Sequence, residues 1–200
     1  MLKIRQHIAV LTVMLFMMLP GSRVMADSEA QSLEASQVKQ LFDILANAQS
    51  ETEGRYAEDA VWQYWFSLAP DTNIRKNLVA AIKRRESYDY EAAELLLNEI
   101  VATAPKYAEG YNQRGFILFL REKYELAEQD LIMALSLQPN HFGALSGMFH
   151  VQGKLGKSDS ALEHLQQAVT IHPWIQERFG LPKTLWPESY RKIHEPGTEI

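Results

Sequence analysis

Apolar positions and prolines recur at a fixed interval along the middle of this chain. Three columns of identical residues lie 34 positions apart in one register: Pro105, Pro139 and Pro173; Ala93, Ala127 and Ala161; Leu97, Leu131 and Leu165. A given position is proline about one time in 20, so two further matches arise by chance about once in 400. Because three columns agree, the pattern indicates internal repeats, and each proline predicts the end of a helix. Pro70, 35 positions before Pro105, indicates a looser copy upstream.

The best copy, residues 108–141, resembles the tetratricopeptide repeat (TPR). It has, at the family's spacing, Tyr111, Arg114, Gly115, Leu118, Tyr124, Ala127, Leu131, Ala134 and Pro139. Gly115 and Ala127 lack bulk, so the two helices of the repeat can approach closely, and the larger apolar residues fill the space around that contact. The resemblance implies an all-α fold, an α-solenoid of TPR helix–turn–helix repeats that stack into a right-handed superhelix with a concave inner face.

The repeats divide the chain. We expect a signal peptide at 1–26, an N-terminal helix pair with a degenerate repeat at 27–73, three TPR repeats at 74–107, 108–141 and 142–175, and a capping tail at 176–200. Helices are expected near 31–49, 54–68, 73–86, 90–103, 108–121, 124–137, 142–154 and 158–171.

Two local expectations concern the third repeat. Phe149 stands where the second repeat has Gly115, and its bulk should widen the helix crossing. Gly156 tolerates a positive φ in the turn, and Ser158 and Asp159 can cap the helix that follows.

The first 26 residues have the layout of a secretory signal peptide. Lys3 and Arg5 precede an apolar run from residue 8 to residue 19, Pro20 then interrupts it, and the sequence VMA offers small residues before a cleavage point. A membrane helix needs about 20 apolar residues, and this run is shorter. We therefore predict export to the bacterial periplasm without stable membrane insertion after signal removal. An uncleaved N-terminal membrane anchor is the alternative.

Composition narrows the function classes. The 200 residues include 20 basic and 25 acidic side chains, for a net charge of −5, and no cysteine. Removing 1–26, which holds three basic residues and no acid, leaves a net charge of −8. Nucleic-acid binding is not expected, because it usually comes with a basic surplus. Without cysteine the chain has no disulfide, no thiolate zinc site and no lipid attachment at a cysteine.

No motif for catalysis is present. The sequence has no Gly-rich phosphate loop, no G-x-S-x-G, no H-E-x-x-H and no acidic calcium loop. The five histidines after residue 26 are never three or four positions apart. We therefore expect no enzyme activity, no cofactor and no metal site.

By the resemblance, binding takes place on the concave face formed by the first helix of each repeat. The predicted partner-binding groove consists of Arg75, Leu78, Ile82, Arg85, Asn112, Phe116, Phe119, Leu120, His150 and Lys154. Its centre would be apolar and its rim basic, with Arg75, Arg85 and Lys154 at the rim, and Asn112 could bond the backbone of an extended peptide. The alternative is that the aromatic residues pack on a neighbouring helix or on the chain's own tail.

One TPR subtype clamps a C-terminal carboxylate with Lys and Asn at inner positions. This chain has Leu78, Asn112 and Ser146 there, so that clamp is incomplete and binding of that kind is not expected.

The predicted function is a non-catalytic scaffold or adaptor that binds a protein or extended peptide segment in the periplasm or cell envelope. One alternative is an accessory or regulatory subunit of an envelope enzyme or assembly complex that uses its acidic outer surface. Another is a homo-oligomer built through Trp62, Trp65 and Phe66. For the tail, we expect Leu185, Trp186 and Tyr190 to cover the end of the solenoid; the alternative places the tail in the groove.

Overall fold

A computed structural model describes the backbone of residues 20–194. These residues form α-helices and two 3₁₀ segments, with no β-strand among them. The chain divides into two compact units, residues 1–38 and residues 39–200. In the first unit the described residues belong to the start of one long helix. The side chains at 32–37 of that helix are exposed. The predicted apolar run, residues 8–19, lies outside the described residues, and so do the side chains at the predicted cleavage site.

The helices follow the repeat pattern. Their bounds are α1 Pro20–Ala46, α2 Glu51–Ser67, α3 Thr72–Glu86, α4 Tyr90–Thr103, α5 Ala108–Leu120, α6 Tyr124–Leu137, α7 Phe142–Lys154, α8 Ser158–Ile171 and α9 Glu188–His194; the 3₁₀ segments are Gln176–Gly180 and Lys183–Leu185. The bounds expected for α3 to α8 agree to within a residue. The expected start of the first helix near residue 31 was wrong, since α1 is already helical at Pro20, the first residue that the structure describes.

Helix α2 begins three residues earlier than expected because of a capping box. Ser50 Oγ accepts a hydrogen bond from the Glu53 N–H at 3.2 Å. In return, a Glu53 carboxylate oxygen accepts from the Gln49 N–H at 2.8 Å. The first bond satisfies a free backbone donor of the first turn, and the second joins Glu53 to the residue before the N-cap, so together they fix the start of the helix.

The turn inside each repeat has the same backbone conformation. Tyr88, Glu122 and Gly156 stand 34 positions apart with φ of 61°, 60° and 74°. In all three turns the next residue donates its N–H to a carbonyl five positions back, as in Lys157 N to Gln152 O at 2.9 Å. Gly156 is therefore confirmed at a positive φ, while two repeats place a residue with a side chain there.

The expected cap of α8 by Ser158 or Asp159 was wrong. The N-cap residue is Lys157, and no side chain bonds to the first turn. Asp159 lies inside that first turn, where its negative charge faces the positive end of the helix dipole.

Small residues allow the first helices to approach the second helices. A Cβ on Gly115 would lie 3.0 Å from Leu131, and a Cβ on Gly147 would lie equally close to the same leucine. Leu131 of α6 thus packs between α5 and α7, which explains why glycine stands at both positions. Phe149 packs against the core cluster that includes the tail, and its ring approaches Gly180.

The N-terminal helix pair packs on the last repeat. Trp65 of α2 shares a core cluster with Phe142 of α7 and Leu165 of α8. Trp174, shortly after α8, donates its indole N–H to the carbonyl of Ala48, which precedes α2, at 2.8 Å. A Cβ on Gly54 would lie 2.7 Å from the Cβ of Trp174, so glycine is needed where these segments meet. Helix α2 therefore contacts the far end of the repeat array as well as its neighbour α3.

The tail packs on the same cluster. Tyr190 is buried in it, and Leu185 and Trp186 pack partly against it. Gln166 of α8 donates to the Leu185 carbonyl at 2.7 Å, and the Trp186 indole donates to the Leu181 carbonyl at 2.9 Å. Leu185, Trp186 and Tyr190 therefore pack on the core cluster that includes the apolar face of α8. Among the described helices, none is long and apolar enough to cross a bilayer.

Candidate partner-binding groove

A groove of about 950 Å³ opens within the second unit. Its lining comes from the first helices of the repeats, α3, α5 and α7, and from α2 and residues 174–179. Because successive first helices lie side by side, their inner faces form one continuous surface. Helix α2 and residues 174–179 add walls to that surface.

Six of the ten predicted groove residues line the groove: Ile82, Arg85, Asn112, Phe116, Phe119 and His150. Arg75 and Lys154 are exposed but lie outside the lining, and Leu120 packs partly against the core of the first repeat. Leu78 is 1% exposed in that same core, so its prediction as a groove residue was wrong. Leu78 lies on the face of α3 that packs against α4. The repeat register alone does not separate this face from the inner face of the helix.

The prediction for Asn112 needs correction. It reaches the groove lining, but its side chain is buried and donates its amide to Glu109 at 3.2 Å. A buried donor that already has a carboxylate partner gains little from a peptide carbonyl. Asn112 therefore supports the groove wall instead of presenting a free amide.

The aromatic residues divide between the two alternatives. Phe116 is 43% exposed and turns towards the groove, with the Arg85 guanidinium 5.2 Å from its ring centroid. Phe119 packs partly against the core cluster between α5, α6 and α7, near Tyr124 and His150. Phe116 thus presents an apolar surface, whereas Phe119 is largely part of the internal packing.

The rim is mixed in charge, not basic. Of the three predicted basic residues only Arg85 lines the groove. Five charged residues that were not predicted also line it: Glu51, Arg55, Glu58, Glu177 and Arg178. All five come from α2 or from the segment after the third repeat. The inner-position pattern covers only the repeats, so no signal of that kind could have found them.

A buried polar network holds the first helices together. Glu109, at the start of α5, accepts hydrogen bonds from Gln113 at 2.6 Å and contacts His141 Nε2 at 2.9 Å. His141 Nδ1 accepts from the Ala144 N–H at 3.2 Å, so Nε2 carries the hydrogen and donates it to Glu109. Gln113 in turn accepts from Arg85 Nη1 at 2.7 Å. One chain of polar contacts therefore joins α3, α5 and the start of α7.

Two carboxylates of the groove have lowered pKa values. The His150 side chain, 3.3 Å from Glu177, holds the pKa of that carboxyl below its usual value. The His172 side chain does the same for the pKa of Glu58, with a further contribution from the Trp62 indole N–H. His172 Nε2 lies 3.3 Å from a Glu58 carboxylate oxygen, without the alignment of a hydrogen bond. Both carboxylates therefore favour the charged form.

Among residues 20–194 the structure holds no group of three or more histidine, aspartate or glutamate side chains arranged for a metal ion. The groove offers aromatic surface, hydrogen-bonding groups and a small number of charges, which are the means of recognising a polypeptide.

Comparison with known proteins agrees with the architecture. No protein-family model matches the chain. A TPR repeat-containing protein of Rhizobium etli is 27% identical over 150 residues, which is 75% of this chain and 73% of that protein.

Two solved structures share the fold. The first TPR of Spaghetti bound to the HSP90 peptide SRMEEVD matches with a TM-score of 0.53 and 18% identity, over 63% of this chain and 94% of that one. The TPR2AB domain of yeast Sti1, in a complex with HSP90, matches with a TM-score of 0.50 and 21% identity, over 71% of this chain and 55% of that one. The 34-residue repeat, the three helix pairs and these likenesses together show that the described part of the chain has the fold of tetratricopeptide-repeat proteins.

Proposed function

We propose that this protein is a non-catalytic scaffold or adaptor that binds a polypeptide segment of a partner protein in its groove. The observation that carries the proposal is the groove itself. The first helices of three repeats line it, and Phe116 of α5 lies there beside polar and charged side chains. An exposed aromatic ring within a concave, partly polar surface is typical of a protein contact site.

The likeness to peptide-bound TPR domains supports this function. Those two solved domains were determined with HSP90 or a peptide from it, which is a property of those proteins. In this chain Leu78 is buried and Asn112 is bonded to Glu109, so two positions of the carboxylate clamp are unavailable. The proposed partner is therefore of a different kind.

Site-specific photocrosslinking tests the groove. A photoreactive phenylalanine analogue at Phe116 should crosslink to a partner in cells, because that side chain faces the groove. The matched control is Leu95 of α4, which is 69% exposed and lies outside the groove lining. An adduct at position 116 that is missing at position 95 supports the proposal. Equal adducts at both positions, or none at 116, contradict it.

The alternative contact surface is the acidic outer face. Two of its carboxylates are already paired across repeats: Glu94 with Lys123 at 2.9 Å and Glu128 with Lys157 at 2.6 Å. This pairing reduces the negative charge that the outer face offers to a partner, so we favour the groove as the contact surface. Adducts at position 95 alone that disappear with added salt would favour the outer face.

The proposed location is the periplasm, with N-terminal anchoring as the alternative. It rests on the basic, apolar and small-residue order of residues 1–26. Fractionation of cells, followed by mass measurement of the mature chain, tests it. A soluble periplasmic chain that begins near residue 27 supports the proposal, and a full-length chain in the membrane fraction contradicts it.

A further inference from the structure

The charges that line the groove are almost all paired. Glu51 contacts Arg55 and also lies 3.6 Å from Arg178, and Glu177 lies 3.3 Å from His150. Glu58 lies 3.3 Å from His172, which is behind the groove wall. Within the described part of the chain, each of these carboxylates therefore already has a cationic or imidazole partner.

Arg85 is different. No carboxylate of the described residues lies within ion-pair distance of its guanidinium, and the structure gives it one hydrogen bond there, from Nη1 to Gln113. The guanidinium is half-buried against the Phe116 ring. A neutral amide and a ring face stabilise a partly desolvated cation less than a carboxylate does. The remaining N–H donors of its fork can reach a ligand.

Apolar groups line the same groove as this cation. The lining around it includes Ile82 on its own helix, Phe116 on α5 and Phe66 on α2. Because these three groups come from three helices, a segment that places an anion on Arg85 contacts apolar surface on more than one side. Arg85 also lies outside the inner positions that form the family's carboxylate clamp.

We infer that the groove recognises an internal segment of a partner polypeptide in which a glutamate or aspartate side chain stands between apolar residues, and that Arg85 receives that carboxylate. This inference rests on the proposed function and adds the chemistry of the partner segment. The apolar neighbours of the acid contact Ile82, Phe66 and Phe116, while the carboxylate supplies the counter-charge that Arg85 lacks within the described chain.

The test begins with residues 27–200 and a phage-displayed library of random 12-residue peptides fused through their C-termini. This format has no free peptide carboxylate, so any acid that is selected is a side chain. Selected peptides are then synthesised with amidated and with free C-termini, and their affinities are measured by fluorescence anisotropy. We expect enrichment of an acid flanked by apolar residues, and equal affinity of the two forms.

A double-mutant cycle then locates the contact. Replacing the peptide's acid by its amide should weaken binding to the wild-type protein about 10- to 100-fold. Arg85→Gln should weaken binding of the acidic peptide by a similar factor. The Arg85→Gln variant should bind the acidic peptide and the amide peptide with equal affinity. Lys83→Gln is the matched control, since Lys83 is exposed on the same helix and lies outside the lining.

Each outcome decides. Selection without acids, additive effects in the cycle, or a tenfold preference for the free C-terminus would overturn the inference; the proposed function would survive if Phe116→Ala still abolished binding. Binding that neither Phe116→Ala nor Arg85→Gln affects, or no selection of any peptide, would overturn both. The comparison of the acidic and amide peptides uses only the wild-type protein, so it is informative even if Arg85→Gln unfolds the chain.

Discussion

The imidazole of His141 lies flat on the indole of Trp65, with ring centroids 3.8 Å apart and ring planes 11° apart. Trp65 belongs to α2, and His141 is the N-cap residue of α7. Both side chains are buried, and His141 is held from its other side by Glu109. This stack joins the N-terminal helix pair to the polar network between the second and third repeats.

The stack predicts a large loss of stability on truncation of Trp65. We expect Trp65→Ala to reduce the free energy of unfolding by about 3–5 kcal/mol, because it removes a buried aromatic side chain and leaves a cavity. Urea unfolding followed by circular dichroism measures the change. Tyr56→Ala is the control, since Tyr56 is on the same helix and 73% exposed. A loss for Trp65→Ala no larger than that for Tyr56→Ala would show that α2 does not depend on this contact.

The recurring positive φ predicts opposite effects for two nearby glycines. Gly156→Ala should destabilise the protein by about 1 kcal/mol, because alanine is strained in that backbone conformation. Gly153→Ala, inside α7, should stabilise it by roughly 0.5–1 kcal/mol through higher helix propensity. An added Cβ at either position meets no atom within 4 Å, so packing does not enter. Melting temperatures of the two variants that shift in the same direction would contradict this account.

The lowered pKa of Glu58 predicts the direction of acid destabilisation. The folded-state pKa lies below the ordinary value of 4.5, chiefly because of the His172 side chain. As the pH falls, the Glu58 carboxylate takes up a proton in the unfolded chain before it does so in the folded chain. This carboxylate therefore stabilises the fold above about pH 4.5, and its contribution is lost as the pH falls through the folded-state pKa. Glu58→Gln should therefore make stability fall less steeply below pH 4.5 in urea titrations at a series of pH values. Equal slopes for the wild-type protein and Glu58→Gln would contradict the prediction.

The tail is predicted to stabilise the third repeat. Truncation after Ile175 should lower the melting temperature by at least about 5 °C and reduce solubility, because it uncovers the cluster around Leu165. Two aromatic substitutions test whether the buried contacts of the tail, and not merely the presence of aromatic residues, stabilise the fold. Tyr190→Ala should lower the melting temperature by several degrees, because Tyr190 is buried. Phe179→Ala should change it by about 1 °C or less, since Phe179 is 79% exposed. Unchanged melting of the truncated chain would contradict the role of the tail as a cover.

Much of the fold follows from local sequence. The 34-residue columns predict α3 to α8 to within a residue, because the prolines end the second helices and the small residues mark the closest contacts of each pair. The start of α2 was recoverable from Ser50 and Glu53, whose spacing is that of a capping box.

The groove was only partly predictable. The repeat register assigns Phe116 and Arg85 to the groove, and both line it. The same register also assigns Leu78 to the groove, although Leu78 is buried in the core of the first repeat. The walls formed by α2 and by residues 174–179 depend on side chains more than 100 positions apart. Periodicity describes neighbours along the chain, so contacts of that span leave no trace in it.

The bond from the Trp174 indole to the Ala48 carbonyl joins positions 126 residues apart. In an open repeat array every contact is between neighbours, and folding can begin anywhere and spread. Here, the apolar face of α2 gains its cover only after residues 141–175 have left the ribosome. The N-terminal helices are made first, but part of their cover lies more than 100 residues downstream, so these contacts close a long loop and raise the contact order of the fold.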